Sequence, residues 1–241
     1  MNLKQLFLIY CNNKKLEINK NQVDIIESLN EFYNVNFDNY FLSNLLSKKK
    51  NKQGFYLQGD VGVGKTMILD FFYENFDKSK QRLHFNEFMI NFHNFVFQNK
   101  DNKKENIINK FVNKLKKKYK LIYLDEFQVT NIVDAMILGK LFETIFNEDI
   151  RIILTSNTKI DDLYKEGLQR DQFLPFIFLI KENSIQNELF IEDDYRKSGL
   201  KKLDRAFFPI NEKNIFNVNK IFREMTKYKK NTKVTLNVKG R

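Results

Sequence analysis

The stretch Gly59-Asp60-Val61-Gly62-Val63-Gly64-Lys65-Thr66 fits the pattern G-x-x-x-x-G-K-[ST]. An apolar run over residues 55–57 precedes it, and residues 67–72 follow it with the apolar density of a helix. This strand–loop–helix context is what a phosphate-binding P-loop requires. The glycines let the loop curl, so that successive backbone N–H groups and the start of the next helix face one anion.

This context predicts a site for ATP. Lys65 would reach the β- and γ-phosphates, and the Thr66 hydroxyl would ligate Mg²⁺. The alternative is a glycine-rich turn between a strand and a helix that binds no ligand. The chain contains only 8 glycines, so a chance match to the pattern is rare. The residues expected to contact the nucleotide are Gly59, Asp60, Val61, Gly62, Val63, Gly64, Lys65, Thr66 and Met67.

A second segment, residues 121–126, carries four apolar residues followed by two adjacent carboxylates. A buried parallel strand that ends in Asp-Glu is the Walker B pattern. Asp125, at the end of the strand, would hold Mg²⁺ through a water molecule. Glu126 would accept the proton of the attacking water. An acidic strand end is common by itself, and its position after a P-loop gives it this meaning.

A third buried strand is predicted over residues 151–157, where an apolar run ends in Thr155, Ser156 and Asn157. In nucleotide hydrolases of this build, the polar residue at this place senses the γ-phosphate and positions the water. We assign that role to Asn157, because an amide can donate to a phosphate and accept from a water at the same time. The alternative is that the three residues only form a turn.

Arg170 is the candidate for a cation that acts on a neighbouring subunit. Residues 158–161 resemble an N-terminal capping box, which predicts a helix over residues 161–166 that stops at Gly167. Arg170 would then lie on the following loop, where an arginine finger could project into the next subunit's site. The alternative is a surface salt bridge with Asp171.

Apolar periodicity predicts the remaining elements of the chain. The helical predictions are a preface over residues 1–50, with apolar positions that include Ile25, Leu29, Tyr40 and Leu45, and helices over 87–98, 107–118, 131–146 and 212–227. The further strand predictions are residues 82–85, 189–191 and 234–238.

The chain is strongly basic, with 41 Lys and Arg against 30 Asp and Glu and a net charge of +11. Such a surface would attract nucleic acid, a membrane or an acidic protein. Lysine dominates the positive charge, and Asn, Ile and Phe are also heavily used, a bias typical of a low-GC genome. We therefore expect no specific nucleic-acid binding, and a functional basic surface stays the alternative.

The order of the motifs predicts an α/β fold of the P-loop NTPase class, with a parallel sheet and helices on both faces. Residues 82–85 would supply a strand inserted between the P-loop strand and the Walker B strand. We expect a helical N-terminal segment over 1–50, the ATPase domain over 51–196 and the start of a C-terminal subdomain over 197–241. A single cysteine, Cys11, excludes an internal disulfide and fits a reducing compartment.

Four segments together resemble the ZapE family of AAA+ ATPases, which comprises bacterial cell-division proteins and mitochondrial AFG-type relatives. They are GFYLQGDVGVGKTMILDFFY (54–73), RLHFNEFM (82–89), LDEFQVTNIVDAMIL (124–138), and TSN (155–157) with DDLYKEGLQRDQFLPFI (161–177). The resemblance covers about residues 10–241. It implies Walker A at residues 59–66, Walker B at Asp125 and Glu126, sensor 1 at Asn157 and the arginine finger at Arg170.

The resemblance also implies a function and a location. It implies a homo-oligomer that uses ATP to destabilise the division-ring polymer of FtsZ, in the bacterial cytoplasm at the division site. Peripheral attachment to the inner face of the membrane stays open.

Members of the family continue well past a segment resembling residues 236–241, so we expect the chain to be a fragment without the C-terminal lid. Nucleotide binding should survive that loss more readily than hydrolysis.

Overall fold

Five parallel strands form one sheet in the computed structural model, which describes residues 2–38, 51–99, 104–190 and 211–226. The strands are β1 (Gly54–Gly59), β2 (Lys80–His84), β3 (Leu121–Asp125), β4 (Arg151–Ser156) and β5 (Ser184–Leu189). β3 and β4 are buried along their whole length, as expected for central strands covered on both faces.

The strand order β2-β3-β4-β1-β5 places β4 between the P-loop strand and the Walker B strand. In the register, Gln58 of β1 lies beside Ser156 of β4, and Leu124 of β3 lies beside Leu154 of β4. Because all five strands run the same way, their last residues meet at one edge of the sheet, here called the carboxyl edge. The opposite side is the amino edge. A strand was predicted over residues 82–85, and β2 lies there at the border of the sheet, but it spans Lys80–His84 and Phe85 already begins a helix.

Helices cover both faces of this sheet, which confirms the predicted fold class. They are α1 (Leu3–Lys14), α2 (Lys20–Tyr33), α3 (Lys65–Asn75), α4 (Phe85–Gln98), α5 (Lys104–Lys118), α6 (Ile132–Asn147) and α7 (Arg170–Asn183). Phe55 and Leu57 of β1 join the core formed by α1, α2 and α3, whereas Tyr56 joins the core formed by α4 to α7. Successive side chains of a strand point to opposite faces, so β1 contributes to both cores.

The N-terminal preface is helical where the structure describes it. Asn2 and Asn19 precede α1 and α2, and the side chain of each accepts a hydrogen bond from a backbone N–H in the first turn of its helix. A π-helical turn, Asn34–Asp38, follows α2. The apolar positions predicted at Tyr40 and Leu45 lie outside the described residues.

The chain divides into two compact units, Met1–Asp194 and Tyr195–Arg241. In the second unit the structure describes one helix, α8 (Glu212–Met225), where a helix over 212–227 was predicted. The predicted strand over 234–238 lies outside the described residues. Among the residues that the structure does describe, no helix combines the length and the apolar character needed to cross a membrane.

The prediction for the segment after β4 was wrong. In place of a helix over residues 161–166, the chain forms a short 3₁₀ helix, Ile160–Asp162, followed by turns. Tyr164 has a φ of 54°, in the left-handed region, so a right-handed helix cannot continue through it. Arg170, expected on a loop, begins helix α7, which contains Pro175. A proline inside a helix lacks one backbone donor and hides the helical pattern.

The last strand was also placed too late in the chain. β5 runs over Ser184–Leu189, whereas residues 189–191 were predicted. Its ends are buried and the residues between them, most of them polar, are partly or fully exposed, because it forms the border of the sheet beside β1. An apolar run is therefore a poor guide to this strand.

Candidate nucleotide-binding site

The P-loop joins β1 to α3 at the carboxyl edge. Gly62 and Gly64 have φ angles of 93° and 97°, which glycine adopts without strain. Gly59 is required for a different reason, since a Cβ there would lie 2.3 Å from the carbonyl oxygen of Leu189. The loop therefore has the curled backbone that turns successive N–H groups toward one anion, with the start of α3 beside it.

Gln22 of α2 supports the P-loop from the N-terminal segment. Its side chain is buried, and its Nε2 donates to the carbonyl oxygen of Val63 at 3.4 Å. A Cβ on Gly64 would lie 3.0 Å from the same nitrogen. The sequence does not reveal this contact, because the two partners are 41 residues apart.

Lys65 is held by acceptors of the P-loop and of the neighbouring strand. Its Nζ donates to the carbonyl oxygens of Gly59 at 2.7 Å and Asp60 at 2.9 Å, and to Oδ1 of Asn157 at 2.8 Å. Burial lowers the pKa of Lys65 from its ordinary value, although the charge of Asp125 opposes this shift. Phosphate oxygens would be stronger acceptors for this ammonium than neutral carbonyl groups.

Asp125 ends β3 as a buried carboxylate with several donors. Its Oδ1 accepts from the Thr155 hydroxyl and from the backbone N–H of Glu126 at 3.1 Å, and its Oδ2 accepts from Arg82 Nη2 at 2.8 Å. Burial alone would raise the pKa of Asp125, but the hydrogen bonds from Thr155 and Arg82 outweigh it and hold this pKa below its usual value. The carboxylate is therefore ionised in the folded protein.

Glu126 differs from its neighbour Asp125 in side-chain exposure and in backbone conformation. Its side chain is 77% exposed and its φ is 54°, a left-handed conformation that is strained for a glutamate. Its backbone N–H donates to the Thr155 hydroxyl at 3.1 Å, and its carboxylate lies 3.9 Å from Nδ1 of His84. The sharp turn brings an accessible carboxylate to the carboxyl edge, where a general base for water would be needed.

The three polar residues that end β4 each have a separate partner. Thr155 contacts Asp125, Ser156 donates to the carbonyl oxygen of Phe127 at 2.7 Å, and Asn157 accepts from Lys65. Asn157 is thus the one of these three that reaches the P-loop. The structure brings the predicted residues of Walker A, Walker B and the sensor together at the carboxyl edge.

The residue types at this edge fit Mg²⁺. Thr66, the second residue of α3, offers a hydroxyl, and Asp125 offers an ionised carboxylate. Mg²⁺ prefers oxygen ligands and is commonly held by one or two protein groups together with water and phosphates. Within the described part of the chain no cluster of three or more His, Cys, Asp or Glu residues could hold a metal ion.

Arg170 does not join this cluster. It begins α7 instead of lying on a loop, and its guanidinium donates to backbone oxygens of Leu163 at 2.6 Å and Asp161 at 2.5 Å. These bonds close the turns after β4, and they differ from the predicted alternative of a salt bridge with Asp171. The assignment of Arg170 as a finger in a neighbouring subunit stays a prediction.

Sequence reasoning also missed Arg82 and Thr155, which both bind Asp125. For Thr155 a signal existed, because it is one of the three polar residues predicted at the end of β4. For Arg82 the signal was weaker. A charged residue at the start of a short predicted strand needs a partner if it is buried there, but the sequence alone does not say which residue that partner is.

A profile of the AFG1-like ATPase family matches residues 11–241. The chain belongs to the AFG1-like ATPase family. This confirms the resemblance to ZapE and its mitochondrial relatives that the motifs indicated. Membership also agrees with the P-loop, the acidic strand end and the polar strand end lying at one edge of the sheet.

Curated relatives of this family member come from bacteria and eukaryotes. Lactation elevated protein 1 homolog B of Danio rerio is 36% identical over 209 residues, which are 81% of this chain and 41% of the relative. Cell division protein ZapE of Escherichia coli K12 is 33% identical over 192 residues, which are 78% of this chain and 50% of ZapE. The chain thus spans about half the length of these relatives, or less.

Solved structures with a similar arrangement are more distant. DnaI is 16% identical, with a TM-score of 0.49 over 75% of this chain and 88% of that one. Domain III of the replication initiation protein DnaA of Thermotoga maritima is 18% identical, with a TM-score of 0.47 over 83% and 90% of the two chains. Neither likeness bears on function.

Proposed function

We propose that this AFG1-like protein binds ATP at its P-loop and hydrolyses it with the help of Mg²⁺. The observation that supports this proposal most directly is the contact between Lys65 and Asn157, 2.8 Å long, which links the P-loop to the end of β4. Asp125 ends β3, the other strand beside β4, and Glu126 is the next residue. A phosphate-binding loop, a buried acid, an exposed acid and an amide therefore face the same edge.

Each of these groups has a distinct part in the proposed reaction. Lys65 would exchange its backbone acceptors for phosphate oxygens, and the amide of Asn157 would contact the γ-phosphate and the attacking water. Glu126 would take the proton of that water, since its carboxylate is exposed and adjacent to the site. Thr66 and Asp125 would hold the metal. Bound Mg²⁺ neutralises charge that develops on the transferred phosphoryl group.

The cellular task that we propose is remodelling of a protein assembly by a homo-oligomer. Two things support it: family membership, and the relative in E. coli that is named cell division protein ZapE. The proposed client is therefore FtsZ or another component of the bacterial division ring. The proposed location is the cytoplasm, at the division site or the inner face of the membrane.

A nucleic-acid-associated ATPase is the second candidate, and the net charge of +11 is the observation that favours it. Charge of this kind supports binding that weakens steeply as salt increases and that lacks sequence preference. The two candidates differ in what stimulates the ATPase. A division-ring polymer should do so in the first case, and DNA in the second.

The experiment measures ATP turnover by the purified chain alone, with FtsZ polymers and with DNA at physiological salt. We expect turnover that needs Mg²⁺ and is not increased by DNA, together with loss of FtsZ polymer when ATP is present. ATP turnover that is stimulated by DNA and not by FtsZ polymers would favour the nucleic-acid-associated ATPase over remodelling of a protein assembly. Tight ATP binding without any turnover would instead support a nucleotide-dependent scaffold.

A further inference from the structure

Arg82 joins the two elements that carry the proposed magnesium ligands. Its Nη2 lies 2.8 Å from Asp125 Oδ2 on β3, and its Nη1 lies 2.5 Å from Asp70 Oδ1 on α3. Asp70 follows Thr66 by four residues, which places the two side chains one turn apart on the same face of α3. One guanidinium therefore connects the end of the Walker B strand with the first turns of the P-loop helix.

The surroundings of Arg82 suit a guanidinium in particular. The register places Arg82 beside Tyr123 in the sheet, and its guanidinium carbon lies 5.0 Å from the centroid of the Tyr123 ring. A planar guanidinium can stack on a ring and bind two carboxylates at once, whereas the ammonium of a lysine offers a single charged point. The group that links the two elements is thus fixed on one side by the ring and on two others by acids.

We propose that Arg82 is a positioning residue that holds Thr66 and Asp125 at the separation needed to share one Mg²⁺. This inference rests on the proposed function, since it assumes that ATP binds together with the metal. Arg82 would act through Asp125 directly and on Thr66 through Asp70 and the helix. Asp125 keeps Thr155 and the N–H of Glu126 as partners, so loss of Arg82 should disturb its position without removing its charge.

Lys80 provides a matched control on the same strand and the same face. Its Nζ donates to the carbonyl oxygen of Phe76 at 2.7 Å and to that of Tyr73. It therefore ties β2 to α3 as Arg82 does, but at the far end of the helix and without contact to Asp125. A substitution at Lys80 reports what the tie between strand and helix contributes to folding alone.

The test compares the affinity of the full chain for a fluorescent ATP analogue in excess Mg²⁺ and in EDTA. The dissociation constant in EDTA divided by that in Mg²⁺ measures how much the metal contributes to ATP affinity. Loss of a residue that orients a metal ligand commonly costs about 10- to 100-fold in metal affinity, so Arg82→Gln should reduce this ratio about tenfold. The affinity in EDTA should stay within about twofold, because Arg82 does not belong to the phosphate cradle. Lys80→Gln should leave the ratio unchanged.

Two further variants make the outcome specific. The ratio for Arg82→Lys should lie between those of the parent and Arg82→Gln. The ratio for Asp70→Asn should be lower than that of the parent. The double variant Arg82→Gln/Asp70→Asn should have the same ratio as Arg82→Gln, because both substitutions break the same ion pair. An unchanged ratio in Arg82→Gln, or an equal loss in Lys80→Gln, would overturn the inference. If Arg82→Gln does not fold, the ratio measured for Asp70→Asn tests the inference, and an unchanged ratio there would overturn it. A parent chain that binds no ATP would instead overturn the proposed function.

Discussion

Arg82 and Arg151 make similar contacts near opposite edges of the sheet. Arg151, the first residue of β4, is buried, and it binds Asn36 Oδ1 at 2.7 Å and both the carbonyl and the carboxylate of Asp149. These partners belong to the end of the helical preface and to the turn before β4. Arg82 is one-third exposed and binds Asp125, an acid of the candidate site.

The difference shows what each edge of a parallel sheet is used for. At the amino edge, the buried arginine joins the N-terminal segment to the sheet through the buried Asn36 and also binds the half-exposed Asp149. At the carboxyl edge, the arginine binds the buried Asp125 and the partly exposed Asp70, beside the other groups of the candidate site. Substitutions at the amino edge should therefore change stability, and substitutions at the carboxyl edge should change the handling of nucleotide.

The largest effect is expected at Arg170, which lies beyond the carboxyl end of β4. A finger supplied to a neighbouring subunit contributes about 10³- to 10⁵-fold to hydrolysis, so Arg170→Ala should bind ATP normally and hydrolyse it at least about 10³-fold more slowly. Turnover measured on an equal mixture with Lys65→Ala should recover in part, because one intact site can form between the two variants. If the mixture is inactive although both variants still oligomerise, Arg170 does not act on a neighbouring subunit, and its role is to bind the backbone oxygens of Asp161 and Leu163.

Glu126→Gln should lower turnover about 10²- to 10⁴-fold while ATP affinity stays within about twofold of the parent. The amide keeps the shape of the side chain but cannot take a proton from water. Single-turnover kinetics with a fluorescent analogue separate binding from hydrolysis. Turnover equal to that of the parent would show that another group activates the water.

Lys65→Ala should reduce ATP affinity by at least about 100-fold, which corresponds to about 3 kcal/mol. The variant removes the positive charge that would bind the phosphates, and its other contacts are two backbone oxygens and Asn157. Titration of a fluorescent ATP analogue measures this loss, and thermal unfolding serves as the control. An unchanged affinity would mean that this loop is a glycine-rich turn that does not bind the phosphates of ATP.

Arg151→Met tests the amino edge. It removes the donor to Oδ1 of the buried Asn36 and should lower the free energy of unfolding by about 2–3 kcal/mol. The exposed side of Asp149 keeps the loss below that of a fully buried ion pair. Urea unfolding gives the free energy. At temperatures where the variant is folded, its ATP affinity should equal that of the parent; a loss of affinity would contradict the division between the edges.

The smallest effect is expected away from both edges, at Gly139 in the middle of α6. A Cβ there meets no atom within 4 Å, so Gly139→Ala should raise the free energy of unfolding by about 0.5–1 kcal/mol. ATP affinity and turnover should not change. Destabilisation in urea would mean that the helix needs a glycine for close packing.

Much of the candidate site could be predicted from the sequence because its parts are local. Residues 55–66, 121–126 and 151–157 each combine an apolar run with a polar end. Parallel strands place such ends at one edge, so their convergence follows from the fold. The contact between Lys65 and Asn157 had no direct signal of its own, yet it lies where this reasoning placed both residues.

What could not be predicted depends on distant partners or on unusual backbone. Arg82 meets Asp125 across 43 residues, and Gln22 meets the P-loop across 41. The positive φ of Tyr164 ended a helix that the capping pattern favoured, and Pro175 concealed another. Local sequence patterns contain none of this information, because tertiary contacts decide it.

The left-handed backbone at Glu126 has a consequence for how this position can evolve. A glycine would adopt the same φ of 54° without strain, and it would make the folded protein more stable. The carboxylate that we propose as the base for the attacking water would then be lost. Selection for a robust fold and selection for hydrolysis thus favour different residues here, and a glycine at position 126 in a related chain would mark a member that has kept ATP binding and given up turnover.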